Sequence, residues 1–211
     1  ASLSTDERKE FIGSANKSTE FVYKLLVNLL DWARVQSKHS KPVICSIDAE
    51  SAVYDALNVL KPLADNKKIE LRTRFSGSVT VQADRNMLDT ILRNFISNAI
   101  KFSHPKSKIN IFVDQQRGKA CFSVKDSGIG MTEEDQKKLF RPDLSMSRPG
   151  TSQELGTGLG LLLCIDMANV LGGHIKVNST LGEGSEFTLC LPLAESETPV
   201  AQNGKWEEET P

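Results

Sequence analysis

The sequence predicts an α+β fold, a two-layer sandwich in which a mixed, mostly antiparallel sheet carries helices on one face, with a long helix in front of it. Three observations carry that expectation. Alternating apolar segments come in adjacent pairs, as in "KINIFVDQQ" (108–116) and "KACFSVKD" (119–126) on either side of "RG". Segments with helical apolar spacing interrupt those pairs. Residues 5–37 contain no Pro and only Gly13, and their apolar side chains step by four and three.

Composition sets the outer limits. The chain has 211 residues, 39% hydrophobic and 25% charged, enough for one good core with an appendage. A net charge of −1 provides no basic field for nucleic acid. No apolar run approaches the ~18 residues of a membrane span. The start, "ASLSTDERKEF", has neither the basic region nor the apolar core of a signal peptide, and it lacks an initiator Met, so it reads as part of a longer protein. Cys45, Cys121, Cys164 and Cys190 are widely spread with no C-x-x-C pair. They are expected to be buried, reduced thiols of a cytoplasmic domain rather than zinc ligands or disulfides.

The elements follow in order. Phe11, Ala15, Val22, Leu25, Leu29 and Trp32 form a heptad-like seam, with Ile12, Leu26 and Ala33 beside it. One helix cannot bury such a stripe alone, so a partner helix and a homodimer are expected. "SKHSKP" (37–42) reads as a hinge. This sets the boundaries at 1–41 for the helix, 42–193 for the folded domain and 194–211 for a polar, acidic tail. "VICSI" (43–47) is a strand, and the helix after it has Asp48 as N-cap and Pro62 near its end. "IELRTRF" and "VTVQA" are short strands joined by "SGS". Asp84 caps a helix over 85–102. Thr132, with Asp135 three positions on, starts a short helix. Residues 141–157 lack periodicity and form a long loop, which in a compact domain points to function or disorder. "GLGLLLCIDMANVLG" is a helix stopped by Gly172 and Gly173, and "HIKVNST" pairs with "SEFTLCLPL" around "LGEG".

Chemistry concentrates between 94 and 160. Asn94, Asn98 and Lys101 fall on one face of the 85–102 helix. An Asn carbonyl suits Mg²⁺, which takes a few protein oxygens and keeps waters and phosphates. A lysine one turn on can meet a phosphate as a point charge. In "DSGIGM" (126–131), Asp126 ends a strand, and Gly128 and Gly130 permit a tight turn and close approach of a flat ligand. In "GTGLGL" (156–161), glycines before and within a first helical turn expose backbone N–H groups to an anion. Singly, each motif is as well explained by turns, caps or a satisfied amide. Their joint occurrence in this order is not.

The segments "NFISNAIKF", "DSGIGM" and "GTGLGLLLC" resemble the N, G1 and G2 boxes of the GHKL ATPase superfamily, and "LF" at 139–140 stands where the F box begins. The stretch 43–193 is similar to the catalytic, ATP-binding domain of sensor histidine kinases, and "LLVNLLDWARVQS" resembles the second helix of their dimerisation domain. The resemblance implies ATP and Mg²⁺ as cofactors. Asn98 would ligate the metal beside Asn94, Lys101 would approach the phosphates, and Asp126 would bind the adenine amino group between Gly128 and Gly130. It implies a lid over 141–157 anchored by Phe140, with Arg141 and Arg148 as lid cations. Gly156, Thr157, Gly158, Leu159 and Gly160 would line the phosphates. The γ-phosphate would go to a histidine on an acceptor helix and then to a response-regulator or receiver aspartate.

That acceptor helix is missing from this sequence. His39, His104 and His174 have no adjacent acidic residue of the family's acceptor motif, so this chain holds no catalytic histidine and is not expected to autophosphorylate. The resemblance places this domain in the cytoplasm and leaves a membrane anchor open for the parent protein. Topoisomerase-type and anti-sigma-type relatives should lack the "LLDWAR" helix. A degenerate binding module is disfavoured by the intact boxes.

Overall fold

A computed structural model of the chain describes residues 41–139, 141, 149–152, 154 and 158–194, together with scattered positions between 4 and 33. Its elements run β1 (Ile44–Asp48), α1 (Ala49–Asn66), β2 (Glu70–Phe75), β3 (Thr80–Asp84), α2 (Arg85–Phe102), β4 (Lys108–Gln116), β5 (Lys119–Lys125), α3 (Glu133–Lys138), α4 (Gly160–Val170), β6 (His174–Thr180) and β7 (Gly184–Pro192).

Local chemistry places most boundaries where the sequence does. The Asp48 carboxylate accepts from Ser51 N and caps α1, which runs through Pro62. Asp84 accepts from Asn86 N and Met87 N to cap α2. Thr132 Oγ1 accepts from Asp135 N at the start of α3. Arg117 and Gly118 both have positive φ, the two-residue turn that matches the twist of the β4–β5 hairpin. At the end of α4, Gly172 N donates to Asn169 O and Gly173 N to Ala168 O, with Gly172 left-handed. Lys68 takes the same left-handed position after α1.

Five strands form one sheet in the order β2-β4-β5-β7-β6, and β1 pairs with β3 in a second, two-stranded sheet. All pairs are antiparallel except β2–β4. The strands on either side of "SGS" therefore do not pair with each other. Gly77 turns the chain with φ 87, and β2 finds its partner only after α2 has crossed the sheet. A bridge from Val81 to Leu193 and a bond from Ala194 N to Thr80 O tie β3 to the end of β7.

The core lies between sheet and helices. Ile109, Ile111 and Val113 of β4, Ala120, Phe122 and Val124 of β5, and Leu189 and Leu191 of β7 are buried. They belong to one apolar cluster with Leu88, Ile91, Leu92, Phe95 and Ile96 of α2 and Val53, Ala56 and Leu60 of α1.

The cysteines correct one expectation. Cys121 and Cys190 lie directly opposite each other on β5 and β7, with Cα atoms 4.2 Å apart, and form a disulfide. Cys45 is exposed, so Cys164 alone is a buried, free thiol. The antiparallel register makes the bond, and a sequence separation of 69 hides it.

The described positions of the first segment from 8 to 33 are helical, and several of its apolar side chains are exposed, Phe11 by 70% and Tyr23 by 66%. No helix among the described residues is long and apolar enough to cross a membrane.

Candidate functional site

Helix α2 organises the site. Leu92, Phe95, Ile96, Ala99 and Ile100 are buried, which leaves Asn94, Asn98 and Lys101 half-buried along its other edge. Asn98 Nδ2 donates to Asn94 Oδ1 at 2.8 Å. Asn98 Oδ1 takes no hydrogen bond from the described residues and stays available as a neutral oxygen ligand. Lys101 Nζ sits 4.6 Å from the centre of the Phe102 ring.

Both ends of this polar row are closed by glycine. A side chain at Gly160 would run into the Asn94 amide, so the first residue of α4 touches the row directly. A side chain at Gly150 would meet the Lys101 side chain and its carbonyl. Leu159, at the N-cap of α4, makes no capping side-chain bond. Gly158 has φ 75, the left-handed region that favours glycine.

Asp126 lies one residue past β5 and is 6% exposed. Its Oδ1 accepts from Gly128 N at 2.8 Å and Ser185 N at 3.2 Å. Among the described residues Oδ2 has no partner. Burial raises the Asp126 pKa above the usual carboxylate range, and the two backbone N–H groups only partly offset it. A buried carboxylate with one pinned oxygen and one open oxygen is arranged to accept from an amino group.

The glycines after Asp126 are required by close backbone approach. A Cβ on Gly128 would strike the Phe102 carbonyl, and one on Gly130, which has φ 61, would strike the Thr180 carbonyl. Gly184 is pressed against the Asp126 backbone in the same way. Gly184 and Ser185 thus belong to the site. The "LGEG" signal marks only their turn and not their contact with Asp126.

The last turn of α2 leaves four carbonyls without partners inside the helix, and all four are met by groups beyond its end. Ser103 N donates to Ala99 O, and Ile129 N to Phe102 O. Lys67 Nζ donates to Ile100 O and Lys101 O, both at 2.9 Å. Thr151 N also donates to Lys101 O at 3.1 Å. Lys67 further reaches Thr151 Oγ1 at 2.7 Å and pairs with Glu154 at 2.7 Å. Lys67, Thr151 and Glu154 carry no sequence signal, because a lysine in "NKK" reads as a solvated turn.

Phe140, Arg148, Gly156 and Thr157 lie outside the described residues, as does His39. Arg141 is exposed just beyond α3. His104 follows α2 in a turn, and His174 opens β6 opposite Cys190. Among the described residues no three His, Cys, Asp or Glu side chains are grouped to hold a metal ion. The donor set instead fits an ion held by one neutral side-chain oxygen, ligand phosphates and waters, the habit of Mg²⁺.

The model of a family described as histidine kinase-, DNA gyrase B-, and HSP90-like ATPase matches residues 83–195. The circadian input-output histidine kinase CikA of Synechococcus elongatus is 31% identical over 191 residues, 89% of this chain and 25% of that protein. The sensor-like histidine kinase SenX3 of Mycobacterium tuberculosis is 33% identical over 168 residues, 80% of this chain and 41% of that protein. The chain therefore spans well under half the length of these curated relatives. Among solved structures, full-length ShkA in complex with AMPPNP is similar with a TM-score of 0.73 and 26% identity, over 92% of this chain and 40% of that one. ThkA in complex with the response regulator protein TrrA shares the fold, with a TM-score of 0.71 at 20% identity, over 92% of this chain and 53% of that one.

Proposed function

Because the chain belongs to the histidine kinase-, DNA gyrase B-, and HSP90-like ATPase family, we propose that it is the Mg–ATP-binding catalytic part of a sensor histidine kinase. The observation that carries this reading is the convergence of distant motifs on one helix. Gly160 meets α2 at Asn94, and Gly128 meets it at Phe102. ShkA, a relative by sequence and fold, is solved with an ATP analogue.

Asp126 accepts the adenine amino group through its open oxygen, between Gly128 and Gly130. Lys101 meets the phosphates, and the run Gly156, Thr157, Gly158, Leu159 and Gly160 lines them, with Phe140 and Arg148 contributed by the loop before it. Asn98, beside Asn94, holds Mg²⁺, which supplies neutralisation of phosphate charge. These residues work by positioning and electrostatic clamping. The phosphoryl group goes to a histidine on an acceptor helix supplied from outside this sequence, then to a response-regulator aspartate. The N-terminal helix pairs two copies, the domain spans 42–193, and this part of the parent works in the cytoplasm.

Titration with ATP and ADP in the presence of Mg²⁺ tests the first step. Absence of binding, or binding indifferent to Asp126→Ala and Asn98→Ala, refutes it. Incubation with a separately supplied acceptor-helix domain tests the second: acid-labile phosphate should appear on that domain and not on this chain.

A further inference from the structure

We infer that Lys67 is a positioning residue for the phosphate end of the site, acting through Glu154 and Thr151 to hold the segment around Gly150 against the last turn of α2. The inference rests on the Mg–ATP reading and assigns that site a residue from outside its glycine and asparagine motifs.

Lys67 belongs to the turn after α1, yet only 9% of it is exposed. A lysine is seldom buried without partners. Here the ammonium lies within hydrogen-bond distance of two main-chain carbonyls of α2, the Thr151 hydroxyl and the Glu154 carboxylate. A cation at a helix C-terminus also meets the negative end of the helix dipole. Glu154 is in turn fixed on its own side: its Oε2 accepts from Ser152 N at 2.8 Å, and its backbone carbonyl accepts from Gly150 N at 2.9 Å. Thr151 adds a bond from its hydroxyl to Ser103 O at 2.6 Å. Gly150, Thr151, Ser152 and Glu154 are thus held to the end of α2 by the Lys67 ammonium and by the direct bonds of Thr151.

The position of these residues decides what they do. Gly150 packs on Lys101, and ten residues later Gly160 packs on Asn94. Asn94 and Lys101 lie two helical turns apart, about 10 Å along α2. Lys67 therefore fixes Gly150 at the Lys101 end of the polar row, whereas the Asp126 carboxylate is held by Ser185 and Gly128 without Lys67. Loss of the tether should disturb recognition of the terminal phosphate and leave recognition of adenine alone.

The experiment compares ATP and ADP titrations, each with Mg²⁺, for the wild-type chain, Glu154→Gln and Lys67→Met, alongside amide hydrogen exchange at Thr151. Glu154 is part-exposed, so Glu154→Gln should fold even if Lys67→Met does not. The expected result is at least a fivefold fall in the ATP-over-ADP affinity ratio with ADP affinity within twofold of wild type, and faster exchange of the Thr151 amide. An unchanged ratio in Glu154→Gln overturns the inference. A wild-type chain that binds neither nucleotide refutes the Mg–ATP reading instead. In that case a Thr151 amide indifferent to Glu154→Gln overturns the tether as well, and a faster one upholds it.

Discussion

Asp126 and Ser185 are bonded in both directions: Asp126 N donates to Ser185 O at 2.9 Å, and Ser185 N donates to Asp126 Oδ1 at 3.2 Å. The carboxylate is thereby held by the strand beside it before any ligand arrives. That rigidity makes the open oxygen a directional acceptor. In Asp126→Asn the amide can keep its oxygen on Gly128 and Ser185 only by turning its NH₂ toward the ligand. A donor then faces the adenine amino group, whereas guanine offers an acceptor at the same place. ATP affinity should fall about tenfold, about 1.4 kcal/mol, and the preference for ATP over GTP should shrink. Competition titrations check it, and an unchanged preference refutes it.

The same substitution has a pH signature. Burial raises the native pKa of Asp126 above its unfolded value. The wild-type residue therefore contributes its full stability below about pH 4 and loses it as pH rises through the native pKa. Asparagine does not titrate. The melting temperature of Asp126→Asn relative to wild type should rise from pH 4 to pH 7. Thermal melts across that range check it, and a constant or falling difference counts against it.

Asn98→Ala separates metal from nucleotide. The side chain is half-buried and among the described residues bonds Asn94, so stability should change by less than about 1 kcal/mol. The strengthening of ATP binding by Mg²⁺ should fall roughly tenfold, leaving affinity in EDTA near wild type. Paired titrations with Mg²⁺ and with EDTA measure this directly.

Two glycines with positive φ should respond differently to alanine. Gly77, φ 87, faces open space, and Gly77→Ala should cost about 1 kcal/mol for its left-handed backbone. Gly130→Ala adds a clash with the Thr180 carbonyl and should cost about 3 kcal/mol. Urea unfolding of both variants gives the comparison, and equal losses would show that the loop simply yields.

The disulfide closes a loop across a sequence separation of 69. Chain-entropy arguments give such a closure about 4 kcal/mol. Reductant should lower the urea midpoint of the wild-type chain and leave a Cys121→Val, Cys190→Val double variant unmoved.

What the sequence made legible was local or repeated. Asp48, Asp84 and Thr132 announce their helices by side-chain chemistry, and Arg117-Gly118 announces its hairpin by backbone preference. Asn94, Asn98 and Asp126 could be named because their motifs have fixed spacing. The parallel β2–β4 pair, the Cys121–Cys190 bond and the Asp126–Ser185 bond depend on register between distant strands, which no short window encodes. Lys67 stayed hidden for another reason. Its burial follows from where α2 ends, and in the sequence it is one of two adjacent lysines.

The last turn of α2 also constrains how this chain can change. Its carbonyls are met from residues 67, 103, 129 and 151, while its first turn is held by Asp84. Inserting a single residue between those ends would rotate one relative to the other by about 100° and lengthen the helix by about 1.5 Å. No neighbouring segment could follow that rotation without releasing the others. Surface side chains along α2 are free to vary, but its number of residues is not, so the helix acts as a fixed gauge against which the separate loops of the domain are set.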